Sequence, residues 1–186
     1  ELLKDPHNFA KYLGLSESAE FPETDENTLA VYTVTGKTLN RVTSPCGAEK
    51  YYAVTRKSDF SYVDTMDGEI TEKFIACTHE VYKKKVNPEN FGRTMPGFFT
   101  DEPQFTRKTL MDNSTDTDDL IMPWTDDFAK TYSDTYSQDI MEFLPEIFWD
   151  LPDGKVSAAR YRYHDHIAER FSSAFADTVG GWCREN

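Results

Sequence analysis

The pattern of hydrophobic and polar positions between residues 60 and 103 predicts a strand, a helix and a second strand. The first strand is predicted over Phe60-Ser61-Tyr62-Val63 and ends on the carboxylate of Asp64. From Ile70 onwards apolar side chains recur every three to four residues, the spacing of one amphipathic helix face. Met95 to Phe99 is the second apolar run, and Pro103 cannot continue its hydrogen-bond ladder. This order predicts a βαβ unit with a right-handed parallel crossover.

The ends of the predicted helix carry their own signals. Asp67 is a suitable N-cap, because its carboxylate can accept the free N–H groups of the first turn. Three consecutive lysines at 83–85 suit the negative end of the helix dipole. The dipeptide Asn87-Pro88 then predicts the end of the helix.

Carboxylates follow both predicted strands. Asp64 comes after the first, and Asp101 and Glu102 come after the second. In parallel sheets of barrel type, catalytic residues gather where the strands end in loops. Glu102 is therefore the candidate catalytic residue, with the alternative that Asp-Glu-Pro only caps a strand and begins a turn.

The first part of the chain predicts mixed structure. A short helix from Asp5 to Leu13, closed by Gly14, is followed by a polar, acidic connector over residues 16–27. Three runs, 29–34, 39–42 and 50–55, have the composition of β-strands and predict a small antiparallel ribbon. We therefore expect two regions, residues 1–59 and residues 60–186.

The C-terminal third contains three segments whose aromatic residues raise the choice between a binding role and core packing. Trp124 precedes an N-cap cluster and a helix predicted from Phe128 through Tyr136. An exposed indole can stack on a sugar ring, and core packing is an equal alternative for Trp124. The segment 143–149 is expected in the core, and the last helix carries a packing stripe made of Tyr163, Ile167, Phe171, Phe175 and Trp182.

No metal or cofactor site is predicted. His164 and His166 lie two positions apart and so on different helix faces, and His79 lacks the second histidine of a zinc-protease motif. The acidic run 112–119 is rich in oxygen ligands, but it lacks the glycine and terminal glutamate of an EF-hand loop. A solvated acidic loop is the preferred interpretation of this run, with a calcium site as the alternative.

The composition restricts the classes of partner that the chain can bind, but it does not determine the cellular compartment. With 33 acidic and 20 basic residues, the formal charge of −13 disfavours nucleic-acid binding. No apolar run approaches the roughly 18 residues of a membrane span. Three cysteines are an odd number without metal spacing, which disfavours a disulfide framework. Both a cytoplasmic and an exported location remain open.

The second region of the chain resembles a group of bacterial glycoside hydrolases that includes the rhamnosidase-like and β-galactosidase-like enzymes. The resemblance covers roughly residues 60–186. It rests on runs in the family order: Tyr62-Val63-Asp64, Thr78-His79-Glu80, Phe91-Gly92-Arg93-Thr94, Gly97 to Pro103, Pro123 to Phe128, and Ala159-Arg160-Tyr161. It implies an α/β fold, a partial (β/α)8 barrel with the antiparallel ribbon inserted before its third strand.

The same resemblance implies roles for individual residues. Glu102 would be the general acid/base at the end of the fourth barrel strand. Asp64, Asp101 and Trp124 would lie on the substrate side. The family usually has Asn before this glutamate, a side chain that can donate a hydrogen bond to the sugar, and Asp101 stands there in this chain. The implied substrate is an oligo- or polysaccharide.

A complete barrel takes about 250 residues and eight strand–helix units, and the pattern above contains two such units. Glu1 is not an initiator Met, and the last helix runs to the end without a clear cap. We therefore expect a fragment of a catalytic barrel whose nucleophile lies outside the chain, inactive by itself and able to self-associate through exposed strand edges. The alternative function is a non-catalytic carbohydrate-binding or structural module.

Overall fold

A computed structural model describes residues 1–36, 38–106, 121–151 and 154–186. Its five strands form one sheet in the order β3-β2-β4-β1-β5. The strands are β1 (Phe9–Ser18), β2 (Thr28–Thr35), β3 (Thr38–Val42), β4 (Tyr51–Val63) and β5 (Met122–Trp124).

Among the described residues, six α-helices are interspersed with the strands along the sequence. They are α1 (Gly68–Cys77), α2 (His79–Lys85), α3 (Phe128–Tyr136), α4 (Leu144–Phe148), α5 (Ala158–Phe171) and α6 (Thr178–Glu185). A π-helical segment, Ser172–Asp177, lies between the last two. Short 3-10 turns occupy Leu2–Lys4, Pro6–Asn8, Pro88–Asn90 and Ile140–Glu142.

The chain divides into two compact units, each with a core of its own. The first unit contains residues 1–10, 59–105 and 167–186, and the second contains residues 11–58 and 106–166. Buried side chains of the first unit include Met66, Ile70, Ile75, Ala174 and Phe175. Those of the second include Leu13, Tyr32, Val54, Trp124, Phe128, Tyr132, Leu144 and Tyr163.

The prediction of a partial (β/α)8 barrel is wrong. Within the described ranges, the three strand pairs with a defined register are antiparallel: β2 with β3, β2 with β4, and β1 with β5. A barrel requires neighbouring parallel strands joined by helical crossovers. In the sheet that the described residues form, only β2 and β3 are both neighbours and consecutive in sequence, and they pair antiparallel across a short connection.

The second predicted strand is also absent. Residues 96–101 have no helix or strand, and the only pairing of the run is an isolated bridge between Phe91 and Met95. Pro96 has no N–H to donate to a ladder, and the side chain of Phe99 is 89% exposed. The predicted βαβ unit therefore does not form.

Several local predictions are confirmed. The Asp67 carboxylate accepts the N–H groups of Glu69 and Ile70 as the N-cap of α1. The predicted helix is broken into two at Thr78, whose hydroxyl donates a 2.6 Å hydrogen bond to the carbonyl of Phe74. The antiparallel ribbon corresponds to β2, β3 and the start of β4, and the helix from Phe128 through Tyr136 is α3.

The N-terminal helix is much shorter than predicted. Only the 3-10 turn Pro6–Asn8 forms, and from Phe9 the chain enters β1. The acidic run 112–119 lies outside the described residues. No helix of the described part of the chain is both long enough and apolar enough to cross a bilayer.

Candidate functional site

Glu102 lies in an exposed segment of irregular backbone in the first unit. Its φ angle is 43°, in the left-handed region that residues other than glycine seldom occupy. This conformation costs an L residue about 1 to 2 kcal/mol relative to the right-handed one. Asp101 beside it is also exposed. The structure thus presents two adjacent carboxylates to solvent, one of them on an unfavourable backbone conformation.

Asp64 follows the last residue of β4 and is buried, with 2% of its surface exposed. Its N–H donates a 2.9 Å hydrogen bond to the carbonyl of Asn8. Its Oδ1 accepts the N–H of Met66 at 3.0 Å. The carboxylate therefore organises the turn that leads from β4 to the N-cap of α1.

The structure brings the segment 100–104 against the end of β4. The Thr65 hydroxyl donates a 2.8 Å hydrogen bond to the carbonyl of Gln104. Asp64, Thr65 and Thr100 line a common cavity of about 70 Å³. Asp101 and Glu102 lie between Thr100 and Gln104, so both ends of their segment are placed beside the Asp64 turn. This arrangement does not depend on parallel strand ends.

Trp124 lies in the second unit, at the end of β5. It is 2% exposed, and its ring centroid is 4.5 Å from that of Phe128. This position agrees with the core alternative. In this structure the indole presents no face on which a sugar could stack.

His79, for which the sequence predicts no functional role, lies at the centre of an aromatic cluster. The imidazole is 3% exposed, and its centroid lies 4.2 Å from Phe98, 5.0 Å from Trp182 and 5.7 Å from Phe74. Its Nδ1 is 2.8 Å from the hydroxyl of Thr78. Burial lowers the pKa of His79, because the charged imidazolium is poorly solvated there.

The His79 cluster could be found only in part from sequence. Phe74 lies on a neighbouring stretch of helix, and its spacing was visible. Phe98 and Trp182 come from remote parts of the chain, and no local periodicity connects them to His79. Phe98 and Trp182 also line a separate cavity of about 180 Å³ in the first unit.

The second unit contains a larger cavity, of about 430 Å³. Its apolar wall includes Leu39, Phe143 and Trp149, and its acidic residues are Glu142, Glu146 and Asp150. The segment 143–149 was predicted to be core, and Leu144, Ile147 and Phe148 are indeed buried. Trp149 at its end is only half-buried and lines the cavity.

The described residues contain no group of three or more His, Cys, Asp or Glu side chains placed to hold a metal ion. Cys46, Cys77 and Cys183 are free thiols at exposed positions. His166 is buried, and its Nε2 lies 2.9 Å from the hydroxyl of Thr131.

Comparisons with known proteins give no match: no protein-family model, no curated protein and no solved structure matches the chain. A role for Glu102 therefore has to be argued from its own surroundings. Those surroundings combine an accessible carboxylate, a left-handed backbone conformation and a segment held at both ends beside a buried carboxylate.

Proposed function

We propose that this chain is part of a glycoside hydrolase and that Glu102 is its general acid, acting on the glycosidic bonds of oligo- or polysaccharides. The observation that carries the proposal is the φ angle of 43° at an exposed glutamate. Unfavourable backbone conformations persist where the surrounding structure imposes them, and they cluster at active sites and ligand-binding segments. The hydrogen bond from Thr65 to Gln104 supplies such a constraint here.

The chemistry requires one proton and two carboxyl groups. Glu102, in its protonated form, donates its proton to the glycosidic oxygen as the bond from that oxygen to the anomeric carbon breaks. The electron pair of the bond leaves with the oxygen, and an oxocarbenium-like transition state develops at the carbon. A second carboxylate either attacks that carbon or activates a water molecule for the attack. The proposal places this second carboxylate outside the chain.

Asp101 and Asp64 take supporting roles in the proposal. Asp101 is exposed beside Glu102 and can accept hydrogen bonds from sugar hydroxyls. Asp64 is buried, and it positions the turn against which the segment 100–104 lies. Trp124 has no substrate contact in the proposal, because its indole is packed in the core of the second unit.

The test uses substrates whose leaving groups differ in their need for a proton. In an aryl glycoside with a strongly activated leaving group, such as dinitrophenol, the leaving group departs without acid assistance. Phenyl and alkyl leaving groups require that assistance. The Glu102→Gln variant should lose about 10²- to 10⁴-fold in kcat/KM on phenyl glycosides, the usual contribution of general acid catalysis. On dinitrophenyl glycosides it should lose far less. The assay uses the longest natural protein that contains these residues, with the 186-residue chain beside it.

Glu72→Gln is the matched control, because it removes the same charge from an exposed glutamate of the same unit. Equal losses on both classes of substrate, or no loss at all, would overturn the role of Glu102. The alternative, a carbohydrate-binding module, predicts saccharide binding without turnover and without any effect of Glu102→Gln. Titration of oligosaccharides by calorimetry separates the two functions.

A further inference from the structure

The cavity of about 430 Å³ in the second unit is independent of Glu102. Its size falls within the range of about 300 to 1,000 Å³ that is usual for small-molecule sites. Leu39 of β3 contributes an aliphatic surface, and Phe143 and Trp149 contribute aromatic ones. The cavity therefore offers an apolar volume large enough for an aromatic or branched aliphatic group.

The wall that carries Trp149 is held rigidly. Arg160 donates hydrogen bonds to the carbonyl of Glu146, at 2.8 Å, and to the carbonyl of Trp149. The same guanidinium forms a 2.7 Å ion pair with Asp150. The ring of Tyr52 packs edge-on to that of Trp149, with centroids 4.6 Å apart. A site whose wall is fixed before binding loses little entropy when a ligand enters.

Every charged residue among the described lining is acidic. Glu142 pairs with Arg41 at 3.1 Å, and Asp150 pairs with Arg160. Glu146 instead accepts a 2.5 Å hydrogen bond from the hydroxyl of Ser157, a neutral partner. Among the described lining carboxylates, Glu142 and Asp150 are thus paired with arginine side chains, whereas Glu146 has a neutral hydrogen-bond partner.

We propose that this cavity binds a monovalent organic cation with an apolar body, such as a protonated primary amine on an aromatic group. The ammonium group would pair with the carboxylate of Glu146. The apolar body would lie against Phe143 and Trp149, where the indole face also attracts the cation. The Glu146 carboxylate would select a cation, and the aromatic walls would select the apolar group attached to it.

Benzylammonium is the probe, and benzyl alcohol is its neutral counterpart of nearly the same shape. Isothermal titration at low salt should show benzyl alcohol binding at least about tenfold more weakly than benzylammonium, because a hydrogen bond between charged groups is stronger than one that involves a neutral group. The Glu146→Gln variant should bind benzylammonium more weakly by a similar factor, and its affinity for benzyl alcohol should be nearly unchanged. The Trp149→Leu variant should bind both probes more weakly. Methyl glucoside is titrated as a third probe, a neutral sugar whose affinity is compared with that of benzylammonium.

Glu26→Gln is the matched control, since it makes the same change of charge at an exposed position that is not part of the cavity lining. Thermal unfolding shows whether each variant folds, and the comparison of the two probes on the unmodified chain needs no variant. Equal affinity for the two probes, no binding of benzylammonium, or tighter binding of methyl glucoside would overturn the proposal. An equal effect of Glu26→Gln and Glu146→Gln would also overturn it, because long-range charge would then explain the result.

Discussion

The indole Nε1 of Trp182 donates a 2.7 Å hydrogen bond to Oε1 of Glu80, across 102 positions of sequence. This bond fixes α6 to α2 within the first unit, with the ring of Trp182 set nearly perpendicular to the imidazole of His79. The aromatic cluster is thereby closed around a histidine that burial disposes to stay neutral.

The stability of the first unit should depend on pH through His79. Burial lowers its pKa in the folded chain, so the unfolded chain, with a pKa near 6.5, takes up the proton at a higher pH. The contribution of neutral His79 to the free energy of unfolding is complete above about pH 6.5. It is lost as the pH falls from there through the pKa of His79 in the folded chain. We expect the free energy of unfolding, measured in urea, to decrease over this window.

The His79→Gln variant isolates this contribution, because its side chain does not titrate. The difference between the two unfolding profiles should have the pH dependence described above. His7→Gln is the control, since His7 is exposed in the same unit. Profiles of His79→Gln and the unmodified chain that run parallel from pH 5 to 8 would contradict the prediction.

The contribution of the Asp67 N-cap to the stability of the chain can be measured separately. Asp67 accepts hydrogen bonds from the N–H groups of Glu69, at 2.9 Å, and Ile70, at 3.4 Å. Asp67→Ala should lower the free energy of unfolding by about 1 kcal/mol, the typical loss for an N-cap. Asp67→Ser keeps a capping oxygen and should lose much less. Equal losses for alanine and serine would assign the effect to something other than capping.

Tyr163 joins α5 to β5 inside the second unit. Its hydroxyl donates a 2.5 Å hydrogen bond to the carbonyl of Pro123, and both groups are buried. Tyr163→Phe should lower the free energy of unfolding by about 1 to 3 kcal/mol, because the carbonyl is left without its donor. Tyr161→Phe removes the same hydroxyl from a side chain that is 69% exposed, and it should have little effect. Chemical denaturation of both variants gives the comparison.

The Glu102→Gly variant should be more stable than the unmodified chain, although it lacks the proposed general acid. The left-handed conformation costs an L residue about 1 to 2 kcal/mol, and glycine avoids this at some expense in backbone entropy, so Glu102→Gly should gain roughly 0.5 to 1 kcal/mol. Ser137, with φ of 52° at the C-cap of α3, is the matched position. Ser137→Gly should stabilise similarly, and it should leave any turnover intact. A gain at Ser137 without a gain at Glu102 would show that the Glu102 conformation carries no cost.

Local signals in the sequence predicted local structure well. The helix through Phe128 and Tyr136, the Asp67 cap and the ribbon of β2, β3 and β4 all follow from spacing and turn chemistry within a few residues. These features depend on backbone hydrogen bonds and side-chain faces that neighbouring residues determine.

The predictions that failed depended on distant residues. The run Met95 to Phe99 is apolar enough for a strand, but Phe98 packs on His79 and Trp182 and no strand forms. The run after Phe9 suited a helix, and pairing within the sheet made it β1. The parallel barrel failed for the same reason, since strand direction is set by partners that periodicity does not identify. Trp124 could not be assigned to core or surface until its contact with Phe128 was known.

The sheet order also has a consequence for biosynthesis. β5 pairs with β1 through Lys11 and Trp124, Tyr12 and Pro123, and Leu13 and Met122. While a ribosome is still extending the nascent chain, β1 therefore has one open edge until residues more than a hundred positions later have left the exit tunnel. Such an edge can recruit another nascent chain. Chaperone protection during translation would matter most over that interval.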